Sequence, residues 1–385
     1  MRLQYCSVHS TFLQGDLPCA WPDCKEGSPD PVVELEEIRY TRESWKIDDA
    51  HEAYFWHKAG LPYAYHLRSA AIHELKVLQG ISSPLVWHYT DMSSFKNIVE
   101  TNELWLTDIE YLNDTTELEH GFSYISERLR VADLSLGAEN IAFESQLRDM
   151  FLQNLDILKH RDSMPRISVA CFAISHDGDE LTQWKGYGAG ATGVAIGFKR
   201  DSSFFWNSRL ATLGRVIYSD DWKNDLADRI GRYIGFAARA DISQKEKIVP
   251  AFGKELWHIY ERVLCDLLME ISVFIKDSRF NQEGEVRYVH NRNIQAYDSH
   301  SSTDEIVTIN ENRFRIKNDV IVHYFGSRDL DLHPLLGGPM PLPISEVVIG
   351  PKAARDPLTK LGVEEFLRYY NYDEVKVRTS DIPFR

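Results

Sequence analysis

The spacing of apolar residues changes several times along the 385-residue chain, and each change predicts an element. Charged residues dominate Glu34 to Trp45, and Ala50 to Leu78 alternates small, aromatic and charged residues at near-helical spacing, which predicts helices over 31–80. The run Gln79-Gly80-Ile81-Ser82-Ser83-Pro84 breaks that pattern and marks a boundary. A short apolar run, Leu85–Tyr89, then predicts a strand. Asp91, Ser93 and Ser94 suit the cap of a following helix with Phe95, Ile98 and Val99 on one face. Leu104–Thr107 predicts a second strand. Beyond a turn at 113–117, Leu118, Phe122, Ile125 and Leu129 form one helical stripe, and Leu147, Phe151, Leu155 and Leu158 form another. Strands are predicted at Ile167–Ser175 and Val194–Phe198, and two long helices across 221–275. Further strands are expected at Glu285–His290, Ile306–Ile309, Asp319–Tyr324 and Val347–Ile349, before a helix (Lys360–Tyr370) and a last strand (Val375–Arg378). The pattern from residue 84 onward is that of an α+β fold, a mixed α/β main domain over 84–385.

Composition narrows the class. Hydrophobic content of 43% and aromatic content of 12% describe a globular chain with a real core. The longest apolar stretches, such as Val194–Phe198, are far too short to cross a bilayer, and Met1–Cys6 lacks the apolar core of an export signal. A cytoplasmic location and no membrane partner are expected. A net charge of −15, from 58 acidic and 43 basic residues, opposes a broad phosphate-binding surface but leaves room for a local basic cleft.

Three of the five cysteines fall within the first 24 residues. Cys6 and His9, then Cys19 and Cys24, form two close pairs among turn-making glycines and prolines, the donor set of a tetrahedral zinc site. So short a segment has almost no apolar core, so metal binding would drive its folding. With every ligand supplied by protein, the zinc would be structural. The expected organisation is a zinc knuckle at 1–30, a helical connector at 31–83 and the main domain.

Within that domain several local signals carry two readings. The loop Gly188–Gly193 is glycine-rich but lacks Gly-Lys-Ser/Thr and precedes a strand, so a hairpin-like turn is the default over a phosphate cradle. Trp184 and Tyr187 flank the start of that loop and either stack on a planar ring or fill a core. Asn113 and Asp114 with Glu117 either cap a helix or line a pocket at its start. Glu285 and Arg287 point the same way on a strand, which also allows an ion pair on an exposed strand face. Neither a zinc-hydrolase helix nor a nucleophile elbow is present.

Taken in order, Trp87-His88-Tyr89-Thr90, Leu104-Trp105-Leu106, Tyr111-Leu112-Asn113-Asp114 with Glu117, Gln183-Trp184 with Tyr187, Gly193–Phe198, Glu283-x-Glu285-x-Arg287 and Ile349-Gly350-Pro351-Lys352 resemble the bacterial DUF2971 family, a domain of unknown function. The resemblance spans about residues 84–385 and leaves the zinc-like N-terminus outside. A weaker similarity is to mono-ADP-ribosyltransferases, which carry a first-strand His or Arg, a middle strand rich in Ser/Thr and a glutamate opening a late strand. Here those are His88, the strand Ile167–Ser175 (without the usual Ser-Thr-Ser) and Glu285. That similarity implies an ADP-ribosyltransferase-like split sheet and an NAD-consuming enzyme, an ADP-ribosyltransferase or NAD glycohydrolase. The family's bacterial context implies a toxin or antiphage effector. Glu285 would stabilise positive charge on the ribose and bind its 2′-hydroxyl. His88 would orient the ribose or the nicotinamide amide, Tyr89 or Tyr187 would stack on the nicotinamide, and Glu283 would prepare an acceptor. Thr90, Asn113 and Trp184 complete the expected NAD contacts. The acceptor, protein or nucleic acid, is not specified by the residues. The alternative is a non-enzymatic sensor of a nucleotide or phage protein that uses the same pocket, with the zinc knuckle for docking.

Overall fold

The computed structural model describes residues 83–111, 117–134, 136–157, 167–206, 211–243, 255–291, 313–317, 320–330 and 341–383, the backbone of 3–6 and 11–14, and scattered positions within 64–75 and 245–249. The first two strands, β1 (Leu3–Cys6) and β2 (Thr11–Gln14), form a separate antiparallel pair. All others belong to one sheet: β3 (Leu85–Thr90), β4 (Trp105–Asp108), β5 (Ile167–Ala173), β6 (Val194–Lys199), β7 (Ala211–Arg215), β8 (Glu285–Asn291), β9 (Arg313–Lys317), β10 (Val320–Gly326), β11 (Ile344–Ile349) and β12 (Lys376–Thr379). Every pairing between these strands is antiparallel except β11 with β12. The architecture is therefore a mixed α/β fold around a mostly antiparallel open sheet.

The sheet branches at β5. One edge of β5 pairs with β8 along its whole length, from Ile167↔Asn291 to Ala173↔Glu285. A strand has only two edges, so β3 and β4 must share the other. β3 meets it near the C-terminal end (Trp87↔Ala173), and β4 meets it near the N-terminal end (Thr107↔Val169, Asp108↔Ser168). From β3 the sheet continues through β6 and β11 to β12, and from β4 it continues through β10 to β9. The two branches part between Trp87 and Thr107, which leaves a fork beside the middle of β5.

Alternation along the strands sorts the core into two faces. On one face Val86, Ala170, Phe172, Ile196, Phe198, Val286 and Tyr288 form an apolar layer. It is covered by α1 (Met92–Thr101), through Phe95, Ile98 and Val99, and by α8 (Pro357–Tyr369), through Val363 and Leu367. Both helices start where the sequence provides a cap: the Asp91 carboxylate accepts from Ser94 N at 2.8 Å, and that of Asp356 accepts from Leu358 N at 2.9 Å ahead of Pro357. The opposite face packs on α2 (Glu117–Val131), α3 (Ile141–Ile157), α6 (Asp220–Ser243) and α7 (Leu256–Ser272). At the far end of that same face, Trp87, Tyr89 and Ala195 enclose Trp184 of α4 (Leu181–Gly186), while α5 (Ser203–Trp206) adds Phe204 and Phe205 to the first layer.

The predicted connector contributes to this core. Ala64, Leu67, Ala71, Ile72 and Leu75 are buried among residues of α2, α6 and α7. Arg68 reaches Glu270 of α7 with two hydrogen bonds of 2.8 and 2.9 Å, and Ala64 N donates to the buried Asp241 carboxylate at 3.0 Å. The strand expected at 306–309 lies outside the described residues. Four strands were not anticipated: the β1–β2 pair in the segment read as a zinc knuckle, β7, whose Ala-Thr-Leu-Gly-Arg has little apolar alternation, and the short strand β9. Among the described residues no helix is long and apolar enough to cross a membrane.

Candidate functional site

A polar cluster gathers where the chain enters β8. Ser278–Glu283 forms a 3₁₀ turn, and Gly284, at φ 53°, occupies the left-handed region that lets this turn swing into the strand. Glu285 and Arg287 follow two residues apart on one strand face. Arg287 Nε donates to Glu285 Oε1 and Nη2 to Oε2, both at 2.8 Å, and Nη1 donates to the Val273 carbonyl at 2.6 Å. Lys276 Nζ lies 2.6 Å from Glu283 Oε2 and 3.4 Å from Glu285 Oε2, over the Phe280 ring. Tyr187 donates its hydroxyl to Glu283 Oε1 at 3.2 Å, and Gln183 Nε2 donates to the Glu283 carbonyl at 2.8 Å. Tyr218 closes the cluster by accepting from Glu285 N at 3.2 Å.

Two carboxylates thus face two cations. Burial alone would raise the Glu285 pKa, but the attraction and hydrogen bonds of Arg287, the charge of Lys276 and a hydrogen bond from the Cys171 thiol together hold it below the usual value. Burial, then the neighbouring carboxylates, raise the Tyr187 phenol, and the same forces raise that of Tyr218, so both stay protonated donors at neutral pH. Glu285 is almost sealed, with 11% of its side chain exposed, whereas Glu283 keeps 25%.

His88 stands at the fork. Its Nδ1 lies 2.8 Å from the Cys171 carbonyl, a main-chain oxygen of β5 in the stretch between the β3 and β4 pairings. A carbonyl can only accept, so Nδ1 carries the proton and the ring replaces a missing ladder hydrogen bond. Burial lowers the His88 pKa, the Cys171 bond opposes this, and the Arg315 guanidinium lowers it further. The imidazole is neutral near pH 7, and its Nε2 lone pair has no hydrogen-bond donor among the described residues.

His88 and Glu285 therefore converge on one residue from opposite faces of the sheet. His88 binds the carbonyl of Cys171 and packs edge-on against Phe172 on the α1 side, while the Cys171 thiol reaches Glu285 on the other. The remaining predicted contacts divide. Tyr187 joins Glu283 in the cluster. Trp184 is wholly buried, its Nε1 bonded to Asp179 Oδ1 at 2.7 Å and its ring against Tyr89, so both aromatics serve the core. Thr90 is buried beneath Gly193, where an added Cβ would lie 2.0 Å from the Thr90 carbonyl oxygen. The Gly188–Gly193 loop is a 3₁₀ turn from α4 into β6 rather than the hairpin-like turn expected, with Ala189, Gly190 and Ala191 all at positive φ and its carbonyls accepting from Gly350 and Lys352. Asn113 lies outside the described residues, as do His9, Cys19, Cys24 and the side chain of Cys6. Among the described residues no three His, Cys, Asp or Glu side chains form a metal site.

Lys276, Tyr218, Cys171 and Arg315 were not singled out from the sequence. Lys276 had a signal: it is the first charge after the apolar run Val273-Phe274-Ile275, and a lone cation at such a point is buried and needs partners. Residues 183–288 match the family described as "Protein of unknown function (DUF2971)". The match runs from Gln183 through the Glu283–Arg287 cluster and stops short of both His88 and Arg315. No curated protein and no solved structure matches the chain.

Proposed function

We propose that the fork and the adjoining Glu283–Glu285 cluster form the site of an NAD-consuming enzyme, an ADP-ribosyltransferase or NAD glycohydrolase. The observation that carries this reading is the partly exposed Glu283 carboxylate, held by Tyr187 and Lys276 beside the sealed Glu285–Arg287 pair at the start of β8. A first strand bearing a histidine, a middle strand and a late strand opened by a glutamate lie side by side as β3, β5 and β8. That order supports the comparison with the strands of an ADP-ribosyltransferase, although His88 and Glu285 lie on opposite faces of the sheet. In the reaction the bond between the nicotinamide nitrogen and ribose C1′ breaks, and its electron pair leaves with nicotinamide. Water or an acceptor then bonds to C1′ and releases a proton. Charge on the ribose peaks between these events, where a carboxylate stabilises it most. Glu283, partly exposed and held by Tyr187 and Lys276, suits the contact with substrate; Glu285 fixes Arg287 and the start of β8 behind it. Tyr187, half-exposed beside Glu283, is the ring left free to lie on nicotinamide.

Incubation with NAD⁺ should release nicotinamide, and Glu283→Gln should slow release by about 10²-fold. No release with water or with any protein, RNA or DNA acceptor would overturn the reading, as would an unaffected Glu283→Gln variant. A non-enzymatic nucleotide sensor is the second reading. It is favoured by the engagement of both Glu285 oxygens with Arg287. Stabilisation of the protein by NAD⁺ with no product would select it.

A further inference from the structure

We infer that Arg315 and Thr107, on the β4–β9 side of the fork, form a binding site for a phosphate or diphosphate group. Arg315 sits on the edge strand β9 with its guanidinium 5.3 Å from the Trp105 ring centre and 6.0 Å from that of Tyr324. The two rings lie 4.9 Å apart and make an aromatic seat that fixes the plane of the guanidinium. Its Nη2 donates to Thr107 Oγ1, its Nε is buried without an acceptor, and Nη1 has no hydrogen bond among the described residues.

The nearby acids are already committed. Glu103 accepts from Arg313 Nη1 at 2.7 Å and from Trp105 Nε1 at 3.2 Å. Asp91 accepts from Ser94 N and Ser94 Oγ, both at 2.8 Å, as the cap of α1. The field of Asp91 reaches Arg315 and His88, yet it makes no ion pair with either. Among the described residues no carboxylate pairs with Arg315, and leaving a half-buried guanidinium without a counter-ion costs stability. A fork of donors held flat by two aromatic rings, with one edge unused, matches the bidentate geometry of phosphate oxygens. The positive N-terminal end of α1, just beyond Asp91, adds to the same potential.

The site stands apart from nicotinamide cleavage, although it would take the diphosphate of the same dinucleotide. Inorganic pyrophosphate is the probe, with binding followed by calorimetry and by the melting temperature. Wild type should bind and melt higher as pyrophosphate is added. Arg315→Met should weaken binding at least tenfold and lose the anion-dependent shift, while melting no lower than wild type in plain buffer, because it removes a half-buried charge that has no ion-pair partner among the described residues. Arg315→Lys should fall between them. Equal affinity in wild type and Arg315→Met, or no binding to wild type, would overturn the inference. So would a large drop in the anion-free melting temperature of Arg315→Met, which would mark Arg315 as structural. Pyrophosphate binding without nicotinamide release would leave this site standing and remove the enzymatic reading alone.

Discussion

Replacing Glu285 by Gln strips one charge from a pair almost sealed from water. Arg287 is 1% exposed, and its hydrogen bonds run to both Glu285 oxygens and to the Val273 carbonyl. Removing one partner of a buried ion pair costs about 3–5 kcal/mol, because the remaining charge stays buried. Glutamine keeps one acceptor oxygen for the guanidinium and recovers about 1 kcal/mol, so a net loss of about 2–4 kcal/mol is expected. Urea unfolding followed by tryptophan fluorescence at pH 7 would read it. Glu283→Gln should cost less than about 1 kcal/mol, since that carboxylate is partly exposed and Lys276 keeps Glu285 as a neighbour. The double variant Glu285→Leu/Arg287→Met should recover much of the loss, as an apolar replacement of the whole pair often does. Acid supplies a second check. The folded-state pKa of Glu285 is depressed, so its stabilisation is present above the unfolded value of about 4.3 and disappears as pH falls through the folded value. The gap between wild type and Glu285→Gln should therefore narrow in acid. A cost under about 1 kcal/mol at pH 7 would refute the reasoning, because it would mean that water reaches the pair.

His88 has a folded pKa below its ordinary value, so the folded protein binds fewer protons there than the unfolded chain. Stability should fall as pH drops below about 6.5, and His88→Asn should lack that component; equal slopes for the two proteins between pH 7 and 5 would contradict it. Gly193→Ala drives a Cβ into the Thr90 carbonyl and should destabilise by about 2 kcal/mol or more, read in the same urea titration. A change under half that would mean the end of β3 can shift freely. Elemental analysis of the purified protein should give close to one zinc per chain, lost in Cys19→Ala, and a stoichiometry near zero in wild type would remove the N-terminal metal site.

Most of the fold was legible because its elements differ in period and are punctuated. Asp91 marks a helix start, and the stripe Phe122-Ile125-Leu129 reappears as the buried face of α2, whereas the last helix begins at Pro357 behind its Asp356 cap, ahead of the expected Lys360. β9 was missed although Arg313-Phe314-Arg315-Ile316-Lys317 alternates strictly. Its apolar members, Phe314 and Ile316, face solvent, so hydrophobic periodicity pointed to the wrong side of the strand as the buried one. The candidate site was legible only in its strand-borne pieces. Spacing places Glu285 and Arg287 on one face, and the structure adds what spacing cannot: the pair is sealed, and Lys276 arrives from the end of α7 to sit between two glutamates. The fork was invisible for a deeper reason. Which strands share an edge of β5 depends on pairing of 167–173 with both 85–90 and 105–108, and no local pattern records it. Cys171 shows what this hides. In sequence it is a small apolar residue in a buried strand, while in the fold its carbonyl holds the imidazole and its thiol the carboxyl group. A substitution at that position would remove the thiol's bond to Glu285 and leave in place the main-chain carbonyl that holds His88.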